Sequence, residues 1–246
     1  LKQGDLEAGL KMDIDFFAGM VSAFNAGDLL SEVANQIRAY ETKVGETDKA
    51  LSESLEFMYR VMKAKRPAKL SGTVGDLVAT RGKKTHDTVE SILKFLDLLT
   101  TEDYVQPLRE VSKRLDEVEV DRLQPKPIVK ITGEFWAQTT EGDGNFNMFR
   151  FLTNEGAEII TEPIATWLAY MLWQTKIKAR DRKDLIEKGE EPKWYELGKR
   201  AALEAGYLKK RAIAKFADTV FRREYSRMVE ALGGTGHEIV DMDEME

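Results

Sequence analysis

The chain has 246 residues and carries 37 Lys and Arg against 43 Asp and Glu, a formal net charge of −6. Its length suits one large domain or two small ones, and 42% hydrophobic with 33% charged residues is typical of a globular protein. It contains no cysteine, which excludes disulfides, a thiol nucleophile and thiolate ligands for zinc or an iron–sulfur cluster within the chain.

No apolar stretch is long enough to suggest a membrane span, since the nearest, Ala157 to Trp173, contains Glu158 and Glu162. The amino-terminal residues do not resemble a signal peptide and include no initiating Met. We therefore expect a cytoplasmic protein without membrane contact, and one that is a piece of a longer chain.

The residues before Pro127 predict helices, because their apolar side chains recur at helical spacing. Asp13 and Asp28 are potential N-caps of two successive helices, the second bearing apolar residues from Leu30 to Tyr40. Further helices are expected to begin near Thr47, Thr85 or Asp87, and Pro107.

Two prolines, Pro125 and Pro127, exclude helix from the segment that begins at Leu123, because each biases its predecessor towards an extended conformation. This segment is the best domain boundary in the sequence. We expect a helical region over residues 1–124 and a partial α/β region with long helices and an acidic tail over residues 125–246.

A β-α-β unit follows the boundary. An apolar run beginning at Ile128 predicts a strand that ends near Glu134, and Glu158 to Glu162 predicts a second strand. Between them, Phe146, Phe149 and Leu152 occur at helical spacing. The predicted fold class is mainly α with a small α/β portion, in which a helical amino-terminal part precedes a few parallel strands. Long carboxyl-terminal helices follow Pro163 and Lys193, and Gly233-Gly234 ends the last of them.

The glycine-rich loop between the first strand and the helix is the predicted ligand site, because open α/β sheets bind ligands at the carboxyl ends of strands. Asn145 can cap the helix, whose amino terminus would favour an anion, and Gly142 and Gly144 permit close backbone approach. An ordinary capped turn without a ligand is the alternative. A nucleotide site is not favoured, since the chain has neither G-x-G-x-x-G nor a P-loop lysine.

Acidic and aromatic side chains surround this loop. Glu134, Glu141 and Asp143 could exchange protons if burial raised a pKa towards neutrality, or they could be solvated loop acids. Trp136 could line an acyl or adenine pocket, or it could belong to the core. His86 and His237 have no partner motif, so no metal site is predicted.

The segment KITGEFWAQTTEGDGN, Lys130 to Asn145, resembles the carboxyl-terminal region of acyl-CoA dehydratase activases. These are large fusions of a 2-hydroxyglutaryl-CoA dehydratase activator with a dehydratase-like component. Similarity also covers Gly27-Asp28-Leu29-Leu30, Val120 to Pro127, and Glu162 to Leu168. The resemblance implies an acyl-CoA substrate and an iron–sulfur cluster held by thiolates, which would have to come from flanking cysteine-bearing segments of the parent protein or from a partner subunit.

We therefore expect a cysteine-free fragment of an acyl-CoA dehydratase or activase redox system that provides scaffold and part of an acyl-CoA site, and that is inactive in isolation. The catalytic candidates are Glu134 and Glu141. The substrate-binding candidates are the other polar, glycine and aromatic residues of the loop: Gly133, Trp136, Gln138, Thr139, Thr140, Gly142, Gly144, Asn145 and Asn147.

The alternative is a non-catalytic helical interaction domain that docks a protein partner. The span from Gln174 to Arg227 holds 16 Lys or Arg against 9 Asp or Glu and is either a solvated face, a partner surface or a site for the CoA diphosphate. Nucleic acid is not an expected partner, because the aromatic residues of this span do not interleave with its basic ones.

Overall fold

The computed structural model describes residues 14–64, 89, 93, 101–140, 142–189, 197–234 and 239–242. Contacts between residues divide the chain into two compact units. In unit 1 the described residues run from Ile14 to Ile164 and from Ser226 to Gly234. In unit 2 they run from Ala165 to Tyr225 and from 239 to 242. The domain boundary near Pro125 stays a prediction from the sequence.

Helix α1 (Ile14–Arg38) is continuous, so the prediction of two helices separated before Asp28 is wrong. Gly27 and Asp28 lie inside α1, and Asp28 does not begin a helix. An internal glycine costs about 1 kcal/mol relative to alanine. That cost is outweighed by the burial that follows it, since Leu29 and Leu30 are completely inaccessible to solvent and Val33 and Ile37 are nearly so.

Two further helices complete the helical part of unit 1. α2 (Glu46–Ala64) packs against α1, and α3 (Val105–Asp116) packs against α2. The predicted apolar face of α3 is confirmed, because Leu108, Val111 and Leu115 are buried. Val89 and Leu93 are helical as expected, and the rest of the helix predicted after Thr85 lies outside the described residues.

The segment after α1 is anchored by the carboxylate of Glu41. Its two oxygens accept hydrogen bonds from the backbone amides of Gly45 (2.7 Å) and Thr47 (2.8 Å) at the start of α2. Partial burial acts to raise the pKa of Glu41, but the two amide donors and the nearby Arg38 lower it below its ordinary value. The ionised side chain therefore caps α2.

The side chain of Tyr40 links the helical part to the sheet. Its hydroxyl donates to Glu158 Oε2 (3.1 Å) and accepts from the backbone amide of Lys126 (3.4 Å). The guanidinium of Arg122 lies 5.3 Å from the centroid of its ring. A short antiparallel bridge between Glu41 and Val120 holds the same region together.

The predicted β-α-β unit is confirmed. Strands β1 (Ile128–Ile131) and β2 (Glu158–Thr161) are parallel, with Ile128 opposite Glu158 and Ile131 opposite Thr161. Between them lie helix α4 (Phe135–Thr139), a 3₁₀ turn (Gly142–Asn145) and helix α5 (Met148–Asn154). β1 ends earlier than predicted, because Gly133 has a positive φ of 129° and α4 begins two residues later. β2 ends at Thr161, one residue earlier than predicted.

The carboxyl-terminal half is formed by two long helices, as predicted: α6 (Ile164–Gly189) and α7 (Leu197–Ala231). Gly233 and Gly234 end α7 with positive φ angles of 85° and 77°. The amide of Gly234 donates to the carbonyl of Val229 and that of Gly233 to Glu230, the bonding pattern of a Schellman motif. The fold is therefore mainly α with a small parallel sheet, the predicted fold class.

The Glu41 cap makes stability depend on pH. The Glu41→Gln variant should be about 1 kcal/mol less stable than the parent at neutral pH, because the amide loses the charge that the two backbone donors favour. Because the pKa of Glu41 is lower in the folded state, its charge stabilises the fold above the pKa of the unfolded state, about 4.3. This stabilisation is lost as the pH falls through the pKa of the folded state. Urea denaturation at a series of pH values should therefore show the difference shrinking towards acid pH, and a constant difference would contradict the cap.

Candidate functional site

A groove of about 380 Å³ lies at the carboxyl ends of the two strands in unit 1 and is called here the strand-end groove. Gln138 and Thr139 of α4 line it from the β1 side, and Thr161 to Ile164 line it from the β2 side. The opposite wall is formed by α1, with Leu51 and Leu55 of α2. This is the position at which open α/β sheets bind ligands.

Gln138 joins the segments that follow β1 and β2, beside the groove. Its Nε2 donates to the carbonyl of Gly133 after β1 (2.8 Å), and its Oε1 accepts from the amide of Glu162 after β2 (3.3 Å). Because both ends of the amide are used, Gln138 positions α4 across both strand ends. Of the predicted substrate-binding residues, Gln138 and Thr139 lie in the groove lining.

The side chain of Asn145 forms hydrogen bonds within the protein and does not line the groove. It is 5% exposed, its Oδ1 accepts from the amide of Met148 at the first position of α5 (3.3 Å), and its Nδ2 donates to the carbonyl of Ala137 (3.4 Å). The N-cap position of α5 is occupied by Asn147 and not by Asn145 as predicted, because α5 begins later than the sequence suggested, but the Asn145 side chain still accepts from the first amide of the helix. Phe146 and Asn147, which precede α5, have positive φ angles of 57° and 55°, and Phe146 is 92% exposed instead of helical.

The two loop glycines are constrained by their surroundings. Gly142 has a positive φ of 81°, and a Cβ on Gly144 would overlap the hydroxyl of Thr140, which itself donates to the carbonyl of Trp136. Larger residues at these positions would therefore disturb the loop. Gly133, with its positive φ, has open space around its Cα.

The other predicted residues that the structure describes do not line the groove. Trp136 is 66% exposed, so it does not belong to the core. Glu134 is exposed at the N-cap position of α4, and its side chain makes no capping hydrogen bond. Glu141 lies outside the described residues, as do His86 and His237. The catalytic roles assigned to Glu134 and Glu141 stay predictions.

The sequence did not indicate that α1 would form the far wall. Its contribution is a stripe of seven residues at helical spacing: Ala23, Phe24, Gly27, Asp28, Ser31, Glu32 and Asn35. This stripe is the side of α1 not occupied by Leu29 and Leu30.

The lining of the groove combines acidic and apolar side chains. Asp28, Glu32 and Glu162 contribute carboxylates, and Glu162 pairs with Lys130 at 2.8 Å. Among the described residues that line the groove there is no Lys or Arg. Apolar surface comes from several side chains around it: Phe24, Leu51, Leu55, Phe149, Pro163 and Ile164. Such a lining accepts uncharged or cationic groups and disfavours phosphate.

Within the part of the chain that the structure describes, no group of three His, Cys, Asp or Glu side chains is placed to hold a metal ion. The sequence itself offers no thiolate, so its residues do not fit an iron–sulfur cluster. No described helix has the length and apolar character needed to cross a membrane.

Comparison with known proteins gives no assignment, since no protein-family model, curated protein or solved structure matches the chain.

The loop geometry predicts that substitutions of two nearby asparagines, Asn145 and Asn147, change the stability of the protein by different amounts. Asn145→Ala should destabilise the protein by about 1 kcal/mol, because it leaves the Met148 amide and the Ala137 carbonyl without their partner. Asn147→Gly should change stability by less than about 0.5 kcal/mol, because glycine adopts the left-handed conformation freely. Thermal or urea denaturation checks both, and equal effects would show that Asn145 does not hold the loop.

Proposed function

We propose that this chain is a cysteine-free component of an acyl-CoA dehydratase or activase system, in which it serves as scaffold and as a wall of the acyl-CoA site. Two observations support the proposal. The loop from Lys130 to Asn145 resembles that family, and the strand-end groove lies beside this loop at the carboxyl ends of both strands. The groove is the observation that carries the proposal.

The lining suggests which part of the substrate the groove would hold. Its volume lies within the usual range of small-ligand sites, roughly 300–1,000 Å³. The apolar side chains suit an acyl group, and the hydroxyl of Thr139 can hydrogen-bond an amide of a pantetheine arm. The three carboxylates disfavour the CoA diphosphate, which we therefore place outside the groove.

Redox chemistry is proposed to reside elsewhere in the parent protein. Any iron–sulfur cluster would be held by flanking cysteine-bearing segments or by a partner subunit, and it would supply one-electron chemistry there. This chain contributes no ligand to it, and its own residues would position the substrate and exclude water. A cytoplasmic location is part of the same proposal, as is the absence of a nucleic-acid partner.

The proposal predicts that filling the groove blocks ligand binding. Gly27→Leu places a side chain in the groove without strain, because Gly27 is helical and no atom beyond its own helix backbone lies within 4 Å of a Cβ there. The affinity for a short-chain acyl-CoA, measured by titration calorimetry, should fall at least about tenfold. An acyl-pantetheine, which lacks the diphosphate, should bind the unmutated chain with similar affinity. Its affinity should fall by a similar factor in the Gly27→Leu variant.

Gly19→Leu is the matched control, because Gly19 lies in the same helix with similar space around it and outside the groove lining. It should leave binding unchanged. Saturable acyl-CoA binding that survives Gly27→Leu, or that disappears when the diphosphate is removed, would contradict the assignment of the acyl site to this groove.

A second candidate function, the docking of a protein partner by the helices, is favoured by one specific observation on α7. The predicted apolar stripe of α7 from Leu197 to Ala212 is exposed to solvent along its length, whereas the apolar residues near the end of the helix, such as Val220 and Met228, are buried.

A further inference from the structure

The first half of α7 is exposed on almost every side. Between Leu197 and Ile213 only Leu203 and Tyr207 are partly buried, and all other residues are exposed. Leu197 is 71% exposed and Leu208 is 57% exposed. A helix of this length gains most of its stability from packing, so an uncovered apolar stripe on it is a candidate interface.

Five of the exposed apolar residues form one stripe, because they follow one another at intervals of three or four residues: Leu197, Ala201, Ala205, Leu208 and Ala212. The three alanines allow the backbone of a second helix to approach closely, and the two leucines can insert between its side chains. The stripe spans about 22 Å at a rise of 1.5 Å per residue, or about four turns.

Four cations that form no ion pair with any described residue flank this stripe. Arg200 and Arg211 follow Leu197 and Leu208 by three residues, Lys209 follows Ala205 by four, and Lys215 follows Ala212 by three. No described residue forms an ion pair with any of these four side chains. From Leu197 to Phe216 the sequence has six Lys or Arg and a single acid, Glu204.

We propose that the first half of α7 is a docking surface for an acidic amphipathic helix of a protein partner, with the Leu197–Ala212 stripe as the apolar seam and the flanking cations paired to its carboxylates. This inference rests on the second candidate function and names its partner by chemistry. Opposite charges beside an apolar seam select partners in the manner of a coiled coil.

Other occupants fit the same surface less well. A second copy of the chain, packing through the same face, would bring six cations against six and repel itself. An anionic membrane surface calls for bulky apolar side chains, and alanine supplies three of the five stripe positions. A nucleic acid would use the cations and leave the apolar stripe uncovered.

The test uses the full chain and two designed peptides of about 21 residues that share one leucine–alanine seam. One carries Glu at the positions flanking the seam and the other carries Lys. Fluorescence anisotropy of the labelled peptides should show saturable binding of the acidic peptide alone, with a dissociation constant on the order of micromolar that rises with salt.

Two pairs of variants separate the seam from the charge. Leu197→Gln with Leu208→Gln should weaken binding at least about tenfold, whereas Leu123→Gln, at a 91% exposed leucine of unit 1, should have no effect. Lys209→Gln should weaken binding about two- to fivefold. Its neighbour Lys210, on the opposite face of the helix, is the matched control, and Lys210→Gln should not weaken it.

The proposal is overturned if the acidic peptide fails to bind, if the basic peptide binds equally, or if the glutamine substitutions in the seam have no effect. Binding to phosphatidylserine vesicles or to a DNA duplex without binding to the acidic peptide would also overturn it, as would self-association that the seam variant abolishes. The same α7 variants should retain the affinity for acyl-pantetheine in the strand-end groove, so failure of either proposal can be read separately.

Discussion

The burial of one side of α1 is the constraint on which unit 1 depends. Leu29, Leu30 and Ala34 are completely inaccessible, and α1 packs against both α2 and β2. Burying two leucines stabilises a fold by about 3–6 kcal/mol, a large fraction of the net stability of a domain. The helix therefore stays continuous through Gly27, and its other side becomes available as a wall of the strand-end groove.

The position of the groove follows from that arrangement. Because α1 is held beside β2, residues such as Ser31 and Glu32 are brought to the carboxyl ends of the strands. Gln138 joins the two strand ends beside the groove, and Tyr40 bonds to Glu158 at the opposite end of β2. The acidic and apolar lining is thus a consequence of helix packing as much as of the loop sequence.

Much of the fold could be predicted from the sequence, because periodicity, prolines and glycines act locally. The helix of Leu108, Val111 and Leu115, the parallel strands and the end of α7 at Gly233 all follow from such signals. The continuity of α1 could not be predicted, since it depends on the tertiary burial of Leu29 and Leu30, which offsets the local preference of Gly27 and Asp28 for a helix boundary.

The candidate site was predicted less completely for the same reason. The loop that begins at Gly133 has the expected position, and Asn145 forms the expected type of bond to the start of a helix. Short-range reasoning could not place Trp136, whose exposure depends on what packs around α4, and it could not bring α1 to the loop from more than a hundred residues away. Local patterns indicate the elements, and long-range packing determines which side chains meet.

Native-state hydrogen exchange of a Leu30→Ala variant tests most directly the claim that α1 supports all of unit 1. Removing a fully buried leucine side chain should cost about 2–5 kcal/mol. If α1 holds the unit together, the slowest amides of α2, α3 and β2 should all lose protection by the same free energy. Loss of protection in α2 and α3 with β2 unchanged would contradict the account, because the sheet would then be stable without α1.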